Sequence, residues 1–388
     1  MLFSYKGVMP ATSLRRLLRG VATFAIGILW GRVLNRPIPQ GPLFLTWHLT
    51  FDCNAFCSFC STHKVHKRHP PEMALDRALA LADEIAASGT WVVGFTGGEV
   101  LLSPLLFPLI RRLKSHGLTC YIVTNGMLLE RHAQDVVDSG VDYVVVSIDS
   151  DDPAEHDRNR HLDGLFEAAM RGIDAVKARR RGSRPQLKTT TVITSWNLER
   201  VVPILEMLSE KVDKVAAQPV TWGYQDHPHG KSKEQLEQHI FAPDQRARVE
   251  AGFARISERF PMFRNRYFGS IPTYWFDPHS LMQSTPCWSP FLRLSIMPDG
   301  DVVHCAARFP PVGNVLRDGI KAVWNSPAML QQRDLVRRRR NRCICWSQDS
   351  SFNALMSGLP LVNRLPALGR DLGDDVAALS SSKDQSAS

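Results

Sequence analysis

Between Leu43 and Pro219, apolar runs of strand length alternate with segments of helical period, and few folds admit such a chain. The runs are Leu43 to Thr50, Trp91 to Thr96, Thr119 to Thr124, Tyr143 to Ile148, Leu187 to Thr194 and Lys214 to Pro219. Between them, Met73 to Ser88, Leu105 to His116, Leu129 to Ser139, Gly164 to Arg180 and Leu198 to Ser209 read as helices. In the first of these Leu75, Leu79, Ala82 and Ile85 share one face. Strands that alternate with helices form a parallel sheet with the helices packed outside it. The expected fold is α/β, a partial (β/α)6 barrel of the TIM type. In such barrels chemistry gathers where strands end and loops begin.

Residues suited to chemistry fall at those positions. Cys53, Cys57 and Cys60 follow the first strand with the spacing C-x3-C-x2-C, and Gly97-Gly98-Glu99 follows the second. Asn125 ends the third strand and Asp149 the fourth. Three clustered thiolates suit an iron–sulfur cluster, or a zinc ion if His63, His66 or His69 supplies a fourth ligand. On a [4Fe–4S] cube, a protein group of three leaves one iron open to a small molecule. A second group, Cys287, Cys305, Cys343 and Cys345, surrounds Pro298-Asp299-Gly300-Asp301. That tetrapeptide reads as the turn of a β-hairpin between Phe291 to Met297 and Val302 to Cys305. Seven of the eight cysteines in the 388 residues lie in these two groups, which suits metal binding in a reducing compartment better than a disulfide scaffold. Cys120, inside the third strand, reads as a buried apolar residue.

The cysteine triad after strand one, with Gly97-Gly98-Glu99 after strand two, resembles the radical S-adenosylmethionine (SAM) superfamily. The resemblance implies that Cys53, Cys57 and Cys60 hold three irons of a [4Fe–4S] cluster and that SAM occupies the fourth. Reductive cleavage would then give methionine and a 5′-deoxyadenosyl radical that abstracts hydrogen from an unactivated carbon. It also implies SAM contacts for Phe59 near the adenine, for Gly97, Gly98 and Glu99 at the methionine amine, and for Asn125. Ser147 and Asp149 match the pair that meets ribose or carboxylate. Arg160, in His156-Asp157-x-x-Arg160, matches a residue at the SAM carboxylate. Val100 stands where the family often has proline. Read alone, Thr124-Asn125-Gly126 is a turn, Ser147 and Asp149 are a strand end and a helix cap, and Arg160 is a surface ion pair.

Cys287, Gly300 and Cys305, with Gly313-Asn314-Val315 and Ala322 to Pro327, resemble the SPASM and twitch extensions of that superfamily. The resemblance implies one auxiliary [4Fe–4S] cluster on Cys287, Cys305, Cys343 and Cys345. The pair Cys343-x-Cys345 departs from the usual spacing, and a four-cysteine zinc site is the alternative.

The chain carries a net charge of +9, and nothing in it matches a nucleic-acid reader. Arg15, Arg16 and Arg19 precede the ten-residue apolar run Val21 to Trp30. That run is shorter than the roughly 20 residues that span a bilayer. It resembles a signal peptide only superficially, because a site requiring reduced thiols follows at once. It is expected either to pack on the barrel or a partner, or to lie in a membrane interface with Trp30 at headgroup level.

The expected organisation is an N-terminal apolar segment over 1–40, the core over 41–225 and a helical connector over 226–286. An iron–sulfur module with its hairpin follows over 287–350, then a tail over 351–388 whose end is disordered. The expected function is hydrogen abstraction from a lipid-like or small hydrophobic substrate. The electron would come from a low-potential donor such as a flavodoxin or ferredoxin, in the cytoplasm or at the membrane surface. Three alternatives compete: a SPASM-type maturase of ribosomal peptides, a methyltransferase variant, and a non-catalytic iron–sulfur or zinc protein. The last leaves Glu99 and the barrel register unexplained.

Overall fold

Six parallel strands run side by side: β1 Phe44–Thr50, β2 Val92–Gly97, β3 Thr119–Thr124, β4 Tyr143–Ser147, β5 Gln186–Ile193 and β6 Lys214–Pro219. The structure, a computed structural model, describes residues 14–60, 73–221, 238–305, 309–339, 346 and 353–354. β4 shows why these segments become strands. Its run Val144, Val145, Val146 is β-branched and apolar throughout, as suits a strand inside a parallel sheet. Val144, Val146, Leu187 and Val215 point to the helical layer and are buried there. The helix Leu165–Arg179 contributes Leu165, Ala169, Ile173 and Val176 to that layer. Tyr143 and Val145, with Lys188 and Lys214 in register beside Val145, therefore project from the opposite, concave face.

The barrel does not close. Three further strands, β7 Arg293–Ile296, β8 Asp301–Val303 and β9 Gly313–Asn314, extend the sheet into the nine-stranded order β6-β5-β4-β3-β2-β1-β7-β8-β9. β7 pairs antiparallel with β8, the hairpin expected around Gly300, and also parallel with β1, with Phe44 opposite Arg293 and Trp47 opposite Ile296. The C-terminal hairpin is thus continuous with the main sheet on the side of the cysteine-bearing strand.

Several boundaries differ from the sequence reading, each for a local reason. Residues 127–132 form turns, so the third helical segment shrinks to Ala133–Asp138. The turn begins where Asn125 Oδ1 accepts from Met127 N at 2.9 Å. Phe291 and Leu292 belong to a short helix, Ser289–Leu292, started by Pro290, and β7 begins only at Arg293. Within the expected helical connector, a 3-10 turn, Pro243–Gln245, leads into the helix Arg246–Arg259.

The N-terminal segment forms the α-helix Leu14–Ile26 and continues as a π-helical stretch, Gly27–Val33. Thr23, Gly27, Ile28, Gly31 and Arg32 are buried, whereas Val21, Leu29 and Leu34 are exposed. A side chain at Gly27 would put its Cβ 2.7 Å from the Phe291 carbonyl oxygen, so glycine permits the close approach. One face of the segment therefore packs on the protein itself. Among the described residues no helix is long and apolar enough to cross a membrane.

Candidate functional site

The loop after β1 carries Cys53, Cys57 and Cys60, none of them in a disulfide. Two sets of backbone hydrogen bonds fix it. Phe56 N donates to Arg160 O at 3.1 Å and Ser58 N to Asn159 O at 3.0 Å, lacing the loop to the end of the helix Pro153–Arg160. On the other side Gly98 N donates to Thr50 O at 2.7 Å and Glu99 N to Asp52 O at 2.8 Å. This contact accounts for the paired glycines. A Cβ at Gly97, where φ is +133°, would lie 2.2 Å from Thr50 O, and one at Gly98 would lie 2.0 Å from Asp52 O. The close approach that requires them is to the start of the cysteine loop. Gly98→Ala is therefore expected to push that loop away. Reconstituted G98A should bind at most about half the iron of the wild type, and a colorimetric iron assay checks it.

Glu99 is fully buried. Its Oε1 accepts from Thr124 Oγ1 at 2.7 Å and from Leu101 N at 3.1 Å; its Oε2 accepts from Asn125 N at 2.8 Å. Burial raises its pKa, and the three hydrogen bonds oppose that shift. A carboxylate offers about four acceptor sites, so one remains for an external donor. Glu99 also ties the end of β2 to the end of β3. Asn125, placed by the same contact, donates through Nδ2 to Asn54 Oδ1 at 2.8 Å, back to the cysteine loop.

Arg160 and Asp149 form a buried ion pair. Arg160 Nε and Nη2 both donate to Asp149 Oδ2, at 3.0 and 2.7 Å, and Asp149 Oδ1 accepts from Val192 N at 2.8 Å. Arg160 is not the surface residue that its type suggests. Its fork is engaged by Asp149, and its remaining nitrogen, Nη1, lies 4.0 Å from Cys57 Sγ. His156 accepts at Nδ1 from Asp149 N at 3.2 Å, so both named residues of that helix converge on Asp149. Burial pushes the Cys57 thiol up to about 12, against the pull of the Arg160 charge. A thiol held there keeps its proton at neutral pH, so metal loading must release it.

Phe59 is half-buried, with the Arg160 guanidinium carbon 5.6 Å from its ring centroid and the His239 ring edge-on at 6.0 Å. Ser147 ends β4 opposite Thr190 of β5. The fold thus gathers Cys53, Cys57, Cys60, Phe59, Gly97, Gly98, Glu99, Asn125, Asp149 and Arg160 at one end of the sheet, with Ser147 at the adjoining strand end. Sequence reading missed Asn54, His239 and Asn197. Asn197 Nδ2 donates to Asp149 O at 2.9 Å, and no motif marks it. His63, His66 and His69, the candidate fourth zinc ligands, lie outside the described residues.

The second cysteine group is built at the foot of the added hairpin. Cys287 precedes the helix Ser289–Leu292, Cys305 follows β8, and both pack against one apolar cluster containing Ile28, Trp288 and Phe291. Cys343 and Cys345 lie outside the described residues. Among the described residues no three His, Cys, Asp or Glu side chains form a single-ion site. The three thiolates at the first site, on one braced loop with a guanidinium N–H facing the middle sulfur, suit an iron–sulfur cube.

Comparison with known proteins adds the family. Residues 47–208 match the radical SAM superfamily, and residues 287–347 match the SPASM iron–sulfur cluster-binding domain. An AdoMet-dependent heme synthase of Nitratidesulfovibrio vulgaris is 35% identical over 173 residues, which cover 44% of this chain and 46% of that protein. A pre-heme d1 synthase of Dinoroseobacter shibae is 31% identical over 170 residues, covering 43% of this chain and 41% of that protein. The match spans less than half the length of either relative. SuiB of Streptococcus suis, solved with its precursor peptide SuiA, shares the fold with a TM-score of 0.56 at 12% identity, over 84% of this chain and 74% of SuiB. These domains bring a SAM-binding [4Fe–4S] cluster and auxiliary iron–sulfur ligation with them. The chain belongs to the radical SAM superfamily and carries a C-terminal domain of the SPASM type.

Proposed function

We propose that this protein abstracts hydrogen from a small hydrophobic substrate, using SAM held at the open iron of a cluster on Cys53, Cys57 and Cys60. One observation carries the chemistry: the braced triad loop lies under Gly98 and Glu99 with Arg160 Nη1 turned to Cys57. When bound there, the cluster and SAM supply a 5′-deoxyadenosyl radical by reductive cleavage. The protein's own part is to place and shield. Arg160 offsets the thiolate charge at Cys57, Asp149 holds that guanidinium in place, and Glu99 keeps one acceptor site for the SAM amine. Phe59 covers the Arg160 side of the loop. A low-potential donor of the flavodoxin or ferredoxin class, in the cytoplasm, would deliver the electron.

The substrate class draws on the relatives, two of which are named an AdoMet-dependent heme synthase and a pre-heme d1 synthase. A heme-related molecule is the small hydrophobic substrate that those names suggest.

The test is 5′-deoxyadenosine formation by anaerobically reconstituted protein with dithionite and SAM. An iron-coproporphyrin should stimulate it several-fold and be consumed. Stimulation by phospholipid vesicles instead, lost when residues 1–36 are removed, would favour the lipid reading, for which Val21, Leu29 and Leu34 offer exposed apolar contacts. Stimulation by a short precursor peptide would favour a maturase, the activity class suggested by the fold shared with peptide-bound SuiB. No 5′-deoxyadenosine under any condition would refute the proposal.

A further inference from the structure

Arg32 lies in the π-helical stretch Gly27–Val33 and is 2% exposed. Its Nη1 donates to the Cys287 carbonyl oxygen at 3.2 Å. Its guanidinium carbon sits 4.9 Å from the Trp288 ring centroid and 5.4 Å from that of Phe291. Its Nε and Nη2 are buried and have no hydrogen-bond partner among the described residues. Burial lowers Arg32 to about 10; the Cys287 thiol acts against that shift, and Arg339 and Arg337 add to it.

Other orphaned groups stand beside the same cysteines. Trp288 Nε1, in the residue after Cys287, is buried without a partner among the described residues, as are both ring nitrogens of His304, the residue before Cys305. Buried polar groups are normally hydrogen-bonded, and a buried charge with unpaired donors costs several kcal/mol. A buried guanidinium with unpaired donors, bonded to the Cys287 backbone, suits an anion with acceptor atoms. A [4Fe–4S] core with thiolate ligands is one: it carries net negative charge, which deepens on reduction, and its sulfurs accept hydrogen bonds. Hydrogen bonds to those sulfurs help set cluster potentials.

We propose that Arg32 is a positioning residue for the auxiliary cluster, its Nε and Nη2 donating to sulfur at the Cys287 corner. It thereby fastens the N-terminal segment to the cluster and favours the reduced state. The inference rests on the reading of Cys287 and Cys305 as cluster ligands. It gives the segment around Gly27 and Gly31 a role distinct from membrane attachment: the glycines let the helix approach closely enough for Arg32 to reach under Phe291.

The experiment compares full-length wild type, Arg32→Gln and Arg32→Lys after anaerobic reconstitution. Iron per chain, the paramagnetic spectrum and midpoint potential of the auxiliary cluster, and thermal unfolding of the cluster-free proteins are measured. The expected result is a lower auxiliary potential and an altered signal in R32Q, with partial recovery in R32K. If R32Q loses the auxiliary iron while its cluster-free form melts with the wild type, the inference is likewise supported. R32Q indistinguishable from a wild type holding two clusters overturns it. So does loss of auxiliary iron accompanied by an equal loss of stability in the cluster-free form, which would mark Arg32 as a structural anchor only. A wild type that binds a single cluster removes the ligand reading, and the inference with it.

Discussion

Cys57→Ala is expected to abolish SAM cleavage, with 5′-deoxyadenosine falling at least a hundredfold, to background, and iron falling by about one cluster per chain. Cys57 is the buried member of the triad and the one whose sulfur faces Arg160. Its loss removes a ligand and leaves Arg160 Nη1 facing a methyl group, a buried donor without an acceptor. Cys305→Ala provides the contrast. It should also lower iron by about one cluster, yet leave some uncoupled cleavage, because Cys305 belongs to the other group. Cleavage at wild-type rate in C57A would remove the triad from the chemistry.

The second large effect concerns stability. Asp149→Ala should destabilise the cluster-free protein by about 3–5 kcal/mol, because it leaves the Arg160 guanidinium buried without its counter-charge. Asp149 is fully buried and Arg160 5% exposed, so solvent cannot compensate. The same substitution removes the acceptor for Val192 N. Since Arg160 O and Asn159 O hold the cysteine loop, iron binding should fall with stability. Denaturant unfolding of the cluster-free chain measures the first effect. A change under 1 kcal/mol would mean that the pair is not closed off from water as the structure has it. Replacing both partners, Asp149→Ala with Arg160→Leu, should cost less than D149A alone, as removing a whole buried pair does.

The core was readable because parallel strands are near-continuous apolar runs and their helices have one apolar face. Val144 to Val146 and Leu75 to Ile85 state these patterns locally. The triad was readable because its spacing is local as well. What escaped depends on residues far apart in the chain. The parallel pairing of β7 with β1 joins Arg293 to Phe44, and nothing near either residue announces it. Arg160 looks like a surface arginine until Asp149 is seen to face it from a strand end. Gly97 and Gly98 were expected at a ligand; in the fold they also make room for the backbone of Thr50 and Asp52. Arg32 follows the apolar run Val21 to Trp30, and nothing near it announces its burial over Trp288 or its bond to Cys287, 255 residues away.

At the centre of the chemistry is a cluster that three protein sulfurs hold and that a sulfonium nucleotide completes. The most direct measurement is the electron paramagnetic resonance spectrum of the reduced, reconstituted Cys305→Ala protein, in which only the first cluster should remain, before and after SAM is added. The g-values should shift when SAM coordinates the open iron. A fully loaded cluster whose spectrum is unchanged by saturating SAM would contradict the claim.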